Sequence, residues 1–163
     1  MIAILPLNCR KGTTFLFCAI CFNSSGEYLC LQGSQPDFCI SVWKWREGAL
    51  VGSCQGDNLN VYNVAFSKTD SSLVTTGGDG HINFWRIVNT GSGVKMDMTR
   101  GMFNNKPVTD VESFVQLSDG KVVTGCEWGN LLLWERGCVK VQITVICSPV
   151  FTHMFNCAMY TLS

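Results

Sequence analysis

The sequence predicts an all-β chain of repeated four-stranded units, and three observations carry that expectation. A pattern of apolar runs and turn residues recurs three times and closes on Trp43, Trp85 and Trp134, which stand 42 and 49 residues apart. The apolar runs are 4–6 residues long and rich in Val, Ile, Phe and Leu, the length and composition of short buried strands. No 3.6-residue period is sustained along the chain, and proline is nearly absent from the runs.

The first unit reads Ala19-Ile20-Cys21-Phe22-Asn23, a Ser24-Ser25-Gly26 turn, Tyr28-Leu29-Cys30-Leu31, a Gly33-Ser34 turn, and Ile40-Ser41-Val42-Trp43. In the second, Val64-Ala65-Phe66-Ser67 leads through Asp70-Ser71-Ser72 to Leu73-Val74-Thr75-Thr76. Gly77-Gly78-Asp79-Gly80 and Ile82-Asn83-Phe84-Trp85 complete it. The third runs Val111-Glu112-Ser113-Phe114-Val115, Ser118-Asp119-Gly120, Val122-Val123-Thr124, Gly125-Cys126-Glu127-Trp128-Gly129, and Leu131-Leu132-Leu133-Trp134. Ser, Asp and Gly in the intervening clusters supply the turn chemistry. A weaker fourth strand follows each tryptophan. Residues 49–54 fill that role first, then Val94, Met96 and Met98 alternating around Lys95 and Asp97. Last come Val139, Val141 and Ile143 alternating with Lys140 and Gln142, as a half-exposed outer strand should. The units divide the chain into residues 15–56, 57–100 and 101–143, with 1–14 unassigned and 144–163 without pattern. Residues 1–5 could add a stray outer strand.

A period of 40-odd residues with four strands is that of a β-propeller blade. Three such blades nearly exhaust 163 residues, whereas closed propellers use about 4–8. The expectation is therefore an incomplete, open propeller: a section of a longer one, or a short isoform, whose bare blade flanks favour self-association. Charge points the same way, since only 15% of residues are charged, against roughly 25% in a typical soluble domain.

Composition also removes function classes. With 12 basic and 12 acidic residues and no cationic cluster, there is no electrostatic footprint for nucleic acid or an anionic membrane. No apolar stretch reaches the ~18 residues of a membrane span, and the N-terminus lacks the basic region of a secretory signal. Cys18, Cys21, Cys30, Cys39 and Cys126, among 10 cysteines, sit within apolar runs, so they read as reduced core thiols of an intracellular protein.

Six places offer sharper chemistry. Cys18-x-x-Cys21, with His153 and Cys157, could supply four zinc ligands, but residues three apart on a strand point to opposite faces. Core thiols are the better reading, and thioredoxin-type redox chemistry would need a βαβ setting. Gly77-Gly78-Asp79-Gly80 precedes a strand rather than a helix, so it is a turn and not a phosphate loop. Gly91-Ser92-Gly93 lacks the context of a nucleophilic serine and reads as a flexible loop. Asp110 and Glu112 share one face, which is expected to be a solvated rim, and His81 is expected half exposed beside its turn. Trp45 and Trp128 are extra to the repeat; exposed, they would anchor a partner, and otherwise they pack against a neighbouring blade. No catalytic residue, metal site or cofactor is expected.

The apolar frame, the turns, Trp43, Trp85 and Trp134, and Asp79 at its turn resemble the WD repeat of β-propeller proteins in degenerate form. Phe22, Phe66, Gly78, Gly80 and Gly129 complete the matching repeat positions. The usual Gly-His opening is missing, and Lys44, Arg86 and Glu135 stand where an Asp normally follows the tryptophan. Four stretches are similar to large ciliary WD-repeat proteins: Phe22-Asn23-Ser24-Ser25-Gly26, Ile40-Ser41-Val42-Trp43-Lys44-Trp45, Gly80-His81-Ile82-Asn83-Phe84-Trp85, and Glu127-Trp128-Gly129-Asn130 with the Leu-Leu-Leu-Trp that follows. That resemblance covers residues 17–143. It implies a non-enzymatic interaction scaffold of the motile axoneme that acts on dynein through axonemal, dynein-associated partner proteins and touches microtubules indirectly. The alternative is a generic WD-repeat adaptor, microtubule-binding or of the ubiquitin pathway.

Overall fold

A computed structural model describes residues 16–91 and 94–144. Its described residues form twelve strands and no helix. The first sheet contains β1 (Phe17–Phe22), β2 (Tyr28–Gly33), β3 (Cys39–Lys44) and β4 (Ala49–Gln55). The second contains β5 (Val61–Phe66), β6 (Leu73–Gly78), β7 (His81–Asn89) and β8 (Val94–Arg100). The third contains β9 (Val111–Gln116), β10 (Val122–Cys126), β11 (Asn130–Glu135) and β12 (Cys138–Thr144). Each sheet is an antiparallel meander paired in chain order, so each is one blade, and the described blades form an open arc. The stray strand proposed for residues 1–5 and the unpatterned tail lie outside the described residues.

Local chemistry sets the turns. Asp70 Oδ1 accepts from the Ser72 amide at 2.9 Å, and Asp119 Oδ1 from the Lys121 amide at 3.1 Å. These are Asx-type turns that start β6 and β10 in fixed register. In the first blade Asn23 Oδ1 accepts from the Tyr28 amide at 2.9 Å. Register then places Trp43 opposite Leu29, Trp85 opposite Val74 and Trp134 opposite Val122.

Two hydrophobic cores occupy the blade junctions. Between blades 1 and 2, Cys30, Ile40 and Val42 meet Val64, Phe66, Val74 and Trp85. Between blades 2 and 3, Ile82 meets Val111, Val122, Leu132 and Trp134, with Phe103 stacked edge-on to Trp134 at 5.0 Å. Burying these side chains contributes about 1.5–3 kcal/mol each, which is what holds successive sheets face to face. Each buried indole N–H finds a hydroxyl. Trp85 donates to Thr76 at 2.9 Å and Trp134 to Thr124 at 3.0 Å. In blade 1 the matching position is Leu31, and Ser41 directly opposite it takes the bond at 2.9 Å. The hydroxyl has crossed the strand pair and the indole stays satisfied.

One expectation about the turns is corrected. His81 is 1% exposed rather than half exposed. The segment leading into β9 runs over its turn: Asp110 Oδ1 accepts the Gly80 amide at 2.7 Å, and Val108 lies beside Gly80. Phe22 is 52% exposed while its counterpart Phe66 is buried. Both face toward the preceding blade, and only Phe66 has a described one to meet. The outer face of blade 3 is likewise open, with Val115, Val141 and Ile143 each 44–51% exposed.

Candidate interaction surfaces

The loops and junction mouths of the arc carry the groups singled out in the sequence. On the rim holding the β6–β7 and β10–β11 turns, Asp79 accepts from Asn60 Nδ2 at 2.8 Å and from the Tyr62 hydroxyl. That bond lowers the Asp79 pKa, and it pushes the Tyr62 hydroxyl up to about 12, helped by the negative charges of Asp79, Asp110 and Glu112. His81 Nδ1 lies 2.9 Å from the Asp79 carbonyl. With Asp110 bonded to Gly80, the carboxylates brace turns and blades rather than form a reactive pair.

The glycine run has a packing reason. A Cβ on Gly77 would stand 2.7 Å from Val111 Cγ1 across the blade junction, and Gly80 turns with φ +56°. Both are demands of a tight turn and a close sheet approach.

The two extra tryptophans differ. Trp45 is half-buried: its N–H donates to the Gly26 carbonyl at 2.9 Å, its ring meets Phe22 edge-on at 5.7 Å, and Arg46 lies over it at 4.5 Å. It packs on its own blade, not on a neighbour. Trp128 is 74% exposed. It lines a 210 Å³ depression with Lys106, Pro107, Thr109 and Gln142.

The thiols form no metal centre among the described residues. Cys18 is exposed rather than the expected core thiol, because β1 has no described blade before it, while Cys21 packs on the first core opposite Cys30. The hydrogen bond with Cys21, together with burial, raises the Cys30 pKa. His153 and Cys157, and the Ser92-Gly93 part of the glycine-serine loop, lie outside the described residues.

Sequence reasoning missed one feature. At the mouth of the blade 2–3 junction is a 330 Å³ pocket lined by Trp134, Val122, Gln116, Arg86 and Arg136 among others. Register makes Gln116 the counterpart of Phe66, since Gln116 pairs with Val122 as Phe66 pairs with Val74. The replacement of an aromatic by an amide at that position was the available signal.

Comparison with known proteins agrees with this architecture. The WD domain, G-beta repeat family model matches residues 48–86, a unit that takes the outer strand of blade 1 and the first three strands of blade 2. The chain is 41% identical over 136 residues to cilia- and flagella-associated protein 44 of Chlamydomonas reinhardtii, covering 83% of this chain and 8% of that protein. It is 32% identical over 125 residues to human echinoderm microtubule-associated protein-like 3, covering 72% of this chain and 14% of that protein. The chain thus spans a small fraction of either relative. The β-propeller domain of Myceliophteria thermophila Cps50 (Swd1) shares the fold with a TM-score of 0.65 at 12% identity, over 80% of this chain and 44% of that one. Meandering four-stranded blades with indoles buried between them make this chain an arc of β-propeller blades, with a WD repeat at residues 48–86 and similarity over most of its length to cilia- and flagella-associated protein 44.

Proposed function

We propose that the chain is part of a non-enzymatic protein-interaction scaffold of the motile cilium or flagellum, located at the axoneme, supporting dynein-linked motility through axonemal partner proteins. The observation that carries this reading is the 41% identity to a cilia- and flagella-associated protein across 83% of the chain. The geometry fits binding rather than catalysis: Asp79, Asp110, His81 and most described thiols are committed to turns and cores, while Trp128 and the junction 2–3 pocket stay open. Trp128 is the exposed anchor on one rim, and Trp45 acts through the packing of blade 1. Residues 15–56, 57–100 and 101–143 are taken as the blade units.

A second reading is a WD-repeat adaptor bound directly to microtubules, favoured by the similarity to an echinoderm microtubule-associated protein-like protein. Affinity capture from ciliated cells, using a tagged protein that carries the complete propeller, separates the two. Enrichment of dynein-associated axonemal components is expected. Recovery of cytosolic ubiquitin-pathway proteins alone would sink both readings, and tubulin co-sedimentation without axonemal enrichment would favour the second.

A further inference from the structure

The pocket at the mouth of the blade 2–3 junction has a one-signed lining. No Asp or Glu lines it, whereas Arg86 enters from blade 2 and Arg136 from the β11–β12 turn of blade 3. Among the described residues neither arginine forms an ion pair. The Asp70 pKa is lowered by the bonds that its Oδ1 accepts from the Ser72 hydroxyl and amide, at 2.6 and 2.9 Å, and after them by the charge of Arg86. Phe84, Val122 and Trp134 give the lining an apolar part, and Ser67, Thr69 and Thr99 add hydroxyl-bearing side chains. A volume of 330 Å³ falls within the ~300–1,000 Å³ of ligand pockets.

The walls are also fixed. Gln116 Nε2 donates to the Ala65 carbonyl at 3.3 Å and to Thr75 Oγ1 at 3.0 Å, so it ties blade 3 to blade 2 and leaves unfilled the volume an aromatic would take. The corresponding mouth at junction 1–2 is strapped by a 3.0 Å bond from Asn23 Nδ2 to Ser71 Oγ.

We infer that the blade 2–3 mouth is a docking site for an acidic peptide segment of a partner protein, with an apolar side chain against Phe84 and Trp134 and flanking carboxylates on Arg86 and Arg136. Guanidinium–carboxylate bonds are the strong, orienting kind, and an apolar anchor in a desolvated pocket supplies the affinity. The inference rests on the interaction-scaffold reading and names one partner chemistry within it.

The test is fluorescence anisotropy on the full chain. The probe is a fluorescein-labelled peptide of glutamates around a central phenylalanine, with a glutamine counterpart as control. Saturable binding is expected, at least tenfold weaker for the glutamine peptide and falling with added salt. Both arginines are exposed, so Arg86→Glu/Arg136→Glu should leave the circular dichroism spectrum unchanged and abolish binding, and Arg86→Gln/Arg136→Gln should weaken it at least tenfold. Equal binding of both peptides, undiminished binding by the charge-reversed protein, or no binding to folded protein would each overturn the site. Axonemal capture would survive those failures, so loss of the site and loss of the scaffold reading are distinguishable.

Discussion

Junction 1–2 and junction 2–3 are built on one template and end differently. In both, a tryptophan on the third strand of the later blade is buried against the earlier blade and donates to a threonine on the adjacent strand. At the mouth of the first, Phe66 is buried in the core and Asn23 reaches across to Ser71. At the second, Gln116 takes the place of Phe66 and a pocket remains. The deep half of a junction therefore sets cohesion and tolerates little change. The mouth is where one side chain decides between a seal and a site.

The largest expected effect breaks a deep half. Trp134→Ala removes a 1% exposed ring packed on Phe84 and Phe103, and should cost about 3–5 kcal/mol in urea denaturation. Hydrogen exchange should show whether blade 3 loosens alone or carries blade 2 with it. Thr124→Val leaves the Trp134 N–H buried without an acceptor, at about 1–3 kcal/mol. Thr76→Val should match it at the other junction, and a much smaller loss there would break the shared template.

Asn23→Ala removes the strap to Ser71 and the acceptor of the Tyr28 amide, and should cost about 1–2 kcal/mol. The smallest effect is electrostatic. Because Tyr62 is raised to about 12 by its bond to Asp79, its neutral form is favoured in the folded state. The associated stability is complete below the ordinary tyrosine pKa near 10 and is lost as pH rises through about 12. Asp79→Asn should bring the ultraviolet titration of Tyr62 back toward its ordinary value, and no change would remove that bond from the account.

Much of this was legible in the sequence because it is local. The tryptophan spacing, the Asp70 and Asp119 turns and the alternation of β12 each depend on a few neighbouring residues. What was not legible depends on contacts between distant segments. His81 lies in a turn met by Val108 and Asp110 of a later segment, which no property of the Gly80-His81-Ile82 stretch announces. Trp45 reads as an orphan until Phe22 and the Gly26 carbonyl, some twenty positions earlier, are brought to it. The pocket was hidden for a related reason. The third unit's first strand runs on to Gln116, and only the pairing with Val122 aligns that amide with Phe66.

That alignment yields the most direct test. Gln116→Phe copies the first junction's mouth into the second, and binding of the glutamate peptide is then measured beside a denaturation curve. The account expects a folded protein of equal or greater stability, by up to about 1–2 kcal/mol, whose affinity for the peptide falls at least tenfold because the ring occupies the pocket. Unchanged affinity in a folded Gln116→Phe protein would contradict it.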